Sequence, residues 1–153
     1  MKEIFDPNRP YNRVEINKLF LKVKAEMHEE TKMRGRAKYN MDRALYKDGF
    51  TGEELLGGDA YEYDHIRSAE YLFNKYKVTH SDKQIAQLVN HRSNIIVTNT
   101  EINRFKGKYN IEDRLINVER VKALGIKPDL VKKATQLADS SISNLALKLS
   151  KGI

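Results

Sequence analysis

Two short runs decide how this chain is read: YEYDHI at 61–66 and SNIIVTNTEINRFKGK at 93–108. In the first, Tyr61, Tyr63 and His65 alternate with Glu62, Asp64 and Ile66 in a β-rich composition, which predicts a strand with neighbouring side chains on opposite faces. The second opens at Asn94, passes through Ile95, Ile96 and Val97, and turns at Thr98 into a short polar helix. Thr98 or Thr100 is the expected N-cap, because a threonine oxygen accepts from an unsatisfied amide of the first turn. Strand, strand, helix is the local prediction, inside an organising segment from Phe50 to Lys108 that supplies an acid, a histidine and two asparagines.

Upstream, residues 1–12 read as an irregular lead, with Asn12 as a helix N-cap. Ile16, Leu19, Phe20, Val23 and Met27 then form one apolar stripe, read as core. A second helix is predicted over 31–47, with Met33, Ala37, Met41, Ala44 and Leu45 as its buried side and Asp48-Gly49 as its stop. Its Lys32, Arg34, Arg36, Lys38 and Arg43 make it the most basic segment of the chain. Gly57, Gly58 and Asp59 signal a turn ahead of the first strand.

Between the two runs, 69–78 fits either a short helix or an extended segment. Ser81 followed by Gln84 fits a capping box, with Ile85, Leu88 and Val89 as the apolar side of its helix. Beyond Lys108, Leu115, Val118, Val121 and Leu124 predict a helix closed by Gly125, and Pro128 suits the first turn of the next. Asp139, Ser140 and Ser141 are expected to break that helix or cap another, carrying Ile142, Leu145 and Leu149.

Composition bounds the function. The 153 residues suit one domain. At 40% hydrophobic and 32% charged the chain reads as globular, with no run approaching the roughly 20 apolar residues of a membrane span. MKEIFDPNRPYNR lacks the apolar stretch of a secretory signal, although a segment of a longer exported protein would lack one too. With no cysteine, disulfides and thiolate-bound zinc are excluded. A net charge of +7 and a pI near 9.5 favour a polyanionic partner: nucleic acid, an anionic membrane or an acidic protein.

The two quoted runs resemble the HNH, or ββα-metal, endonucleases. In that family an Asp-His pair ends the first strand, an Asn starts the second, and a further Asn or His sits on the following helix. Asp64 with His65, then Asn94, then Asn103 nine positions later match that pattern. FTGEEL at 50–55 is similar to the "TG" entry of many members, and INRFKGK at 102–108 to the "NR.KG" end of the metal-binding helix. The resemblance covers somewhat over a third of the chain, and the distance from His65 to Asn94 requires an insertion between the strands. It implies an α+β fold, mainly helical, in one domain over 1–153: N-terminal helices over 1–49, a ββα-metal core over 50–108 with an insertion at 67–92, and C-terminal helices over 109–153.

The resemblance also implies roles. Hydrolysing a phosphodiester requires a deprotonated water, a cation against the charge growing on phosphate, and stabilisation of the leaving oxygen. His65 is the expected general base, because neutral imidazole accepts a proton near pH 7. Asp64 and Asn103 are the expected metal ligands, hard oxygens suited to Mg²⁺ first and to Mn²⁺ or another divalent ion second. Asn94 is expected to hold the histidine through a hydrogen bond. Arg67, Arg104, Lys106 and Lys108 are the expected phosphate contacts. His28 is expected to be exposed, and His80 and His91 to lie off the site.

The expected function is a metal-dependent endonuclease acting on DNA with low sequence preference and without membrane insertion. RNA is the alternative substrate, and a non-catalytic basic nucleic-acid-binding protein is the alternative class. Small, cysteine-free, basic nuclease segments also resemble toxin domains of bacterial competition systems. That implies delivery within a longer exported protein, action on DNA in the target cytoplasm, and an acidic immunity protein as partner. Phage, mobile-element and restriction nucleases share the motif.

Overall fold

The computed structural model describes residues 5–151; the outermost parts of the predicted lead and last helix, 1–4 and 152–153, lie outside them. The chain is α+β and mainly helical, with two small antiparallel β pairs. Helix α1 (Arg13–Tyr39) is capped by Asn12, whose side chain accepts from the Glu15 amide. It runs unbroken through the expected boundary near residue 31, and Asn40 ends it in the left-handed conformation (φ 51°). The predicted helix over 31–47 is therefore the second half of α1 followed by strand β1 (Leu45–Lys47). Met33, assigned there to the core, is 74% exposed, while Ala44 and Leu45 are buried as part of the β1 segment. Most of the basic face is neutralised: Lys32 pairs with Glu29, Arg36 with Asp42 and Lys38 with Glu54.

Strands β1 and β2 (Glu54–Leu56) form a hairpin whose turn holds Asp48, Gly49 and the start of the FTGEEL run, which ends in β2. Asp48 is buried, and its carboxylate accepts from the Phe50, Thr51 and Asn99 amides and the Thr98 hydroxyl. It ties this hairpin to the second. Gly49 is required by close approach, since a Cβ there would stand 2.2 Å from Ile96 Cδ1. The 57–59 turn follows as expected, with Gly58 at φ 102°.

Strand β3 (Tyr61–His65) pairs antiparallel with β4 (Ile95–Asn99), in a register that sets Asp64 opposite Ile96 and His65 opposite Ile95. Between them, α2 (Ala69–Tyr76) resolves the ambiguous stretch as a helix capped by Ser68. Helix α3 (Asp82–Val89) begins at the Ser81–Gln84 capping box. Asn94 closes a 3-10 turn, Arg92–Asn94, one residue short of β4. Helix α4 (Thr100–Lys106) follows β4 directly. Its cap is Asn99, which accepts from the Ile102 amide, because Thr98 is buried and spent on Asp48.

The predicted C-terminal helix over Leu115–Leu124 is shortened to α6 (Val118–Ala123), begun by Asn117, which caps Arg120, and a one-turn helix α5 (Ile111–Arg114) ends just ahead of it. Helix α7 (Pro128–Ser150) has proline in its first turn and continues through Asp139, Ser140 and Ser141 without a break. Burial outweighs the local preference of those residues: Val131, Ala138, Ile142 and Ala146 line one face of α7. The first two join a core with Phe50, Ile96, Ile102 and Phe105, the last two a core with Ile16, Leu72, Ile85 and Leu88. Without disulfides, this shared helix and the Asp48 carboxylate brace the fold. No described helix is long and apolar enough to cross a membrane.

Candidate functional site

Alternation along β3 divides its side chains between two neighbours. Glu62 and Asp64 face α4, where Asn103 and Lys106 lie on one side of the helix, three residues apart. Asn103 Nδ2 donates to Glu62, and Lys106 Nζ stands 2.9 Å from Asp64 Oδ2. The other Asp64 oxygen accepts from the His65 amide. Tyr61, Tyr63 and His65 face the opposite way, toward α1: the Phe20 ring packs on the His65 imidazole with centroids 4.2 Å apart, and Tyr46 hydrogen-bonds Tyr63.

Asn90 fixes His65. The Asn90 amide nitrogen donates to the carbonyls of Ile16 and Ala86, each at 3.0 Å, so its oxygen must face the imidazole, whose Nε2 lies 2.9 Å away. That oxygen can only accept. Nε2 therefore carries the proton, and Nδ1 keeps the lone pair. Burial pushes the His65 pKa below the ordinary histidine value, against the raising effects of Asn90 and Asp64, and Lys106 and Lys24 push it the same way as burial. The ring is neutral at pH 7, as a proton acceptor must be.

The hydrogen bond expected of Asn94 is thus made by Asn90. Asn94 is fully buried and serves the backbone instead: its Oδ1 accepts from the Arg67 amide, and its Nδ2 donates to the carbonyls of Arg67 and Val89. It locks the exit of β3 to the entrance of β4. Arg67 is also corrected. Its guanidinium is forked onto Asp139 and bonded to Glu112, so at 9% exposure its charge is already matched by two carboxylates. Lys106 is in the site but buried and paired with Asp64, whereas Arg104 and Lys108 are exposed.

His80 is buried against the Ala146 carbonyl, and His91 caps the 3-10 turn; both lie off the site as expected. His28 is half-buried and hydrogen-bonded to Tyr46, not exposed.

Among the described residues, no group of three or more His, Cys, Asp or Glu side chains is arranged to hold a metal ion. On this face Asn103 turns its Nδ2 to Glu62 and leaves its Oδ1 without that carboxylate as a partner, and Asp64 is held by Lys106. The groups in question are the amide oxygen and the carboxylates of Glu62 and Asp64. These are hard oxygen donors, which fit Mg²⁺ or Mn²⁺ in kind, with Lys106 as the resident cation that such an ion would share Asp64 with. Sequence reading missed Glu62, although its alternation with Asp64 was visible, and Asn90, for which no local signal exists. Against models of protein families, curated proteins and solved structures, the chain gives no match.

Proposed function

We propose that this chain is a metal-dependent endonuclease that hydrolyses phosphodiester bonds in DNA with little sequence preference, through an HNH-type centre on β3, β4 and α4. One observation carries the reading: at the end of one strand, a histidine with its proton fixed on Nε2 adjoins an acid paired with a lysine of the following helix, whose asparagine bonds the next acid on the same strand face. His65 Nδ1 takes the proton of the attacking water. Asn90 holds the ring in the tautomer that leaves this nitrogen free, and it stabilises the positive ring formed after transfer. Asp64 and Asn103, with Glu62 beside them, would hold a divalent cation, which supplies Lewis-acid stabilisation of the charge developing on phosphate and leaving oxygen. Lys106 offsets Asp64 and adds positive charge on the same side. Arg104 and Lys108, exposed at the end of α4, bind flanking phosphates.

The test is plasmid cleavage with Mg²⁺ or Mn²⁺, with and without chelator, and a structured RNA in parallel. Nicking or degradation of DNA that chelator stops is expected; an intact plasmid across several divalent metals would sink the proposal. His65→Ala should bind DNA and metal while losing about 10²–10⁴-fold in rate. Asp64→Ala should lose metal affinity and regain part of its rate at raised metal concentration. Rescue of His65→Ala by metal would reverse the two assignments.

A second reading has an observation of its own. Asp64 is already neutralised by Lys106, and only Asp64 and Glu62 supply carboxylates to the set. That pattern also suits a basic nucleic-acid-binding protein without catalysis, which the same assay reads as binding without cleavage. Use as a toxin, with an acidic immunity partner, remains a proposal about context.

A further inference from the structure

Helix α1 brings to His65 a cation that the strand and helix unit does not contain. Phe20 and Lys24 lie about one turn apart on α1, and Tyr63 and His65 lie on one face of β3. Phe20 covers the imidazole, and Lys24 Nζ stands 4.4 Å from the Phe20 ring centre and 5.9 Å from that of Tyr63. Lys24 is half-buried, and no described carboxylate forms a salt bridge with it. Its counterpart across β3 differs: Lys106 is more deeply buried and has its charge matched by Asp64.

An ammonium partly withdrawn from water onto two aromatic faces gains less from them than full pairing would return. Its three donors require acceptors, and ring faces are poor ones. Phe20 touches both this ammonium and the His65 ring, so the ammonium lies on the α1 side of the imidazole and not only on the helix surface. On the α1 face, then, one cation stands without a described carboxylate beside it, where an anionic group can take its donors.

We propose that Lys24 is a phosphate-contacting residue of this site: its ammonium takes a non-bridging oxygen of the DNA phosphate that lies against His65, from the α1 face, while Lys106 acts from the α4 face. The assignment rests on the nuclease reading for its place in a reaction, but the contact itself is measured without cleavage. The full chain is titrated with a short DNA duplex in chelator across a range of salt. Lys24→Met keeps the packed stem and removes the charge, Lys24→Gln is a second neutral variant should methionine disturb the fold, and Lys24→Arg keeps the charge. Lys133→Met, on the exposed side of α7, controls for net charge.

Each lost phosphate contact lowers the slope of log affinity against log salt by about 0.9. That decrement is expected in the Met and Gln variants, absent in Lys24→Arg and absent in Lys133→Met. An unchanged slope in both neutral variants, an equal decrement in Lys133→Met, or a wild-type chain that binds no duplex overturns the assignment. Cleavage with metal reports separately on the nuclease reading. A chain that shows the Lys24 decrement and leaves DNA intact refutes the nuclease and keeps the contact; a chain that cleaves with no Lys24 decrement does the reverse.

Discussion

Replacing Asn90 by alanine separates the positioning of His65 from the packing around it. Asn90 is 4% exposed, and its amide makes three hydrogen bonds, two donated to the Ile16 and Ala86 carbonyls and one accepted from His65. Both carbonyls lie on helices, and Ala86 also accepts the Asn90 backbone amide, so truncation orphans neither. The His65 Nε2 proton is the group left without a partner. An unsatisfied buried donor costs about 1–3 kcal/mol, which sets the expected loss of stability at about 2 kcal/mol in a denaturant titration. The imidazole then becomes free to turn and to carry its proton on Nδ1, where it cannot accept one from water. The expected fall in cleavage rate is roughly 10- to 100-fold, the usual worth of a group that orients a functional histidine, with DNA affinity unchanged. The assay is single-turnover plasmid nicking beside duplex binding, at a temperature where the variant is fully folded. Wild-type turnover in Asn90→Ala, or an equal loss of binding, would refute the assigned tautomer and its role.

Three further outcomes concern stability. Arg67→Ala strands Glu112, one of whose oxygens already lies buried without a partner, and frees Asp139, so it should cost about 2–4 kcal/mol without changing the salt dependence of DNA binding; a flattened salt dependence would restore Arg67 to the phosphate contacts. The Arg67 guanidinium also holds the Asp139 carboxyl below the usual carboxylate range, so that pair stabilises the fold above the unfolded carboxylate pKa near 4 and loses this contribution as pH falls through the lower folded value. Asp139→Asn should therefore be less stable than wild type at neutral pH and converge on it in acid, read by thermal unfolding; a gap that widens in acid would contradict the pairing. Gly49→Ala forces a methyl into Ile96 and should cost about 1–3 kcal/mol in a denaturant titration, whereas a neutral result would mean that the two β pairs are free to separate there.

What the sequence disclosed follows the range of the interactions involved. Asn12, Ser81 with Gln84, and Pro128 act within one helical turn, and their caps and starts are found where local chemistry puts them. The β3 alternation was equally legible, because its period is two residues. Other features depend on distant partners. Thr98 has the side chain of an N-cap but is drawn to Asp48, fifty residues away, which leaves the cap to Asn99. Asp139, Ser140 and Ser141 have the preferences of a break, yet the buried Ala138 and Ile142 on either side hold α7 continuous. The site divides in the same way. Asp64, His65, Asn103 and Lys106 gather on β3 and α4 as their spacing suggests, whereas Asn90, Lys24 and the engagement of Arg67 with α7 depend on how helices dock.

The Asn90 amide links segments that are far apart in sequence: it reaches Ile16 across 74 residues and His65 across 25. Contacts of that span form late in folding, because each closes a long loop before it is rewarded. The imidazole therefore has its orienting amide fully held only once α1 has docked, so on the proposed reading a partly folded chain would keep Glu62 and Asn103 together with a loosely held base. On the proposed nuclease reading, undocking of α1 and loss of cleavage become one event with one free energy. Amide exchange along α1 should accordingly quicken as turnover falls when denaturant is raised below the unfolding transition.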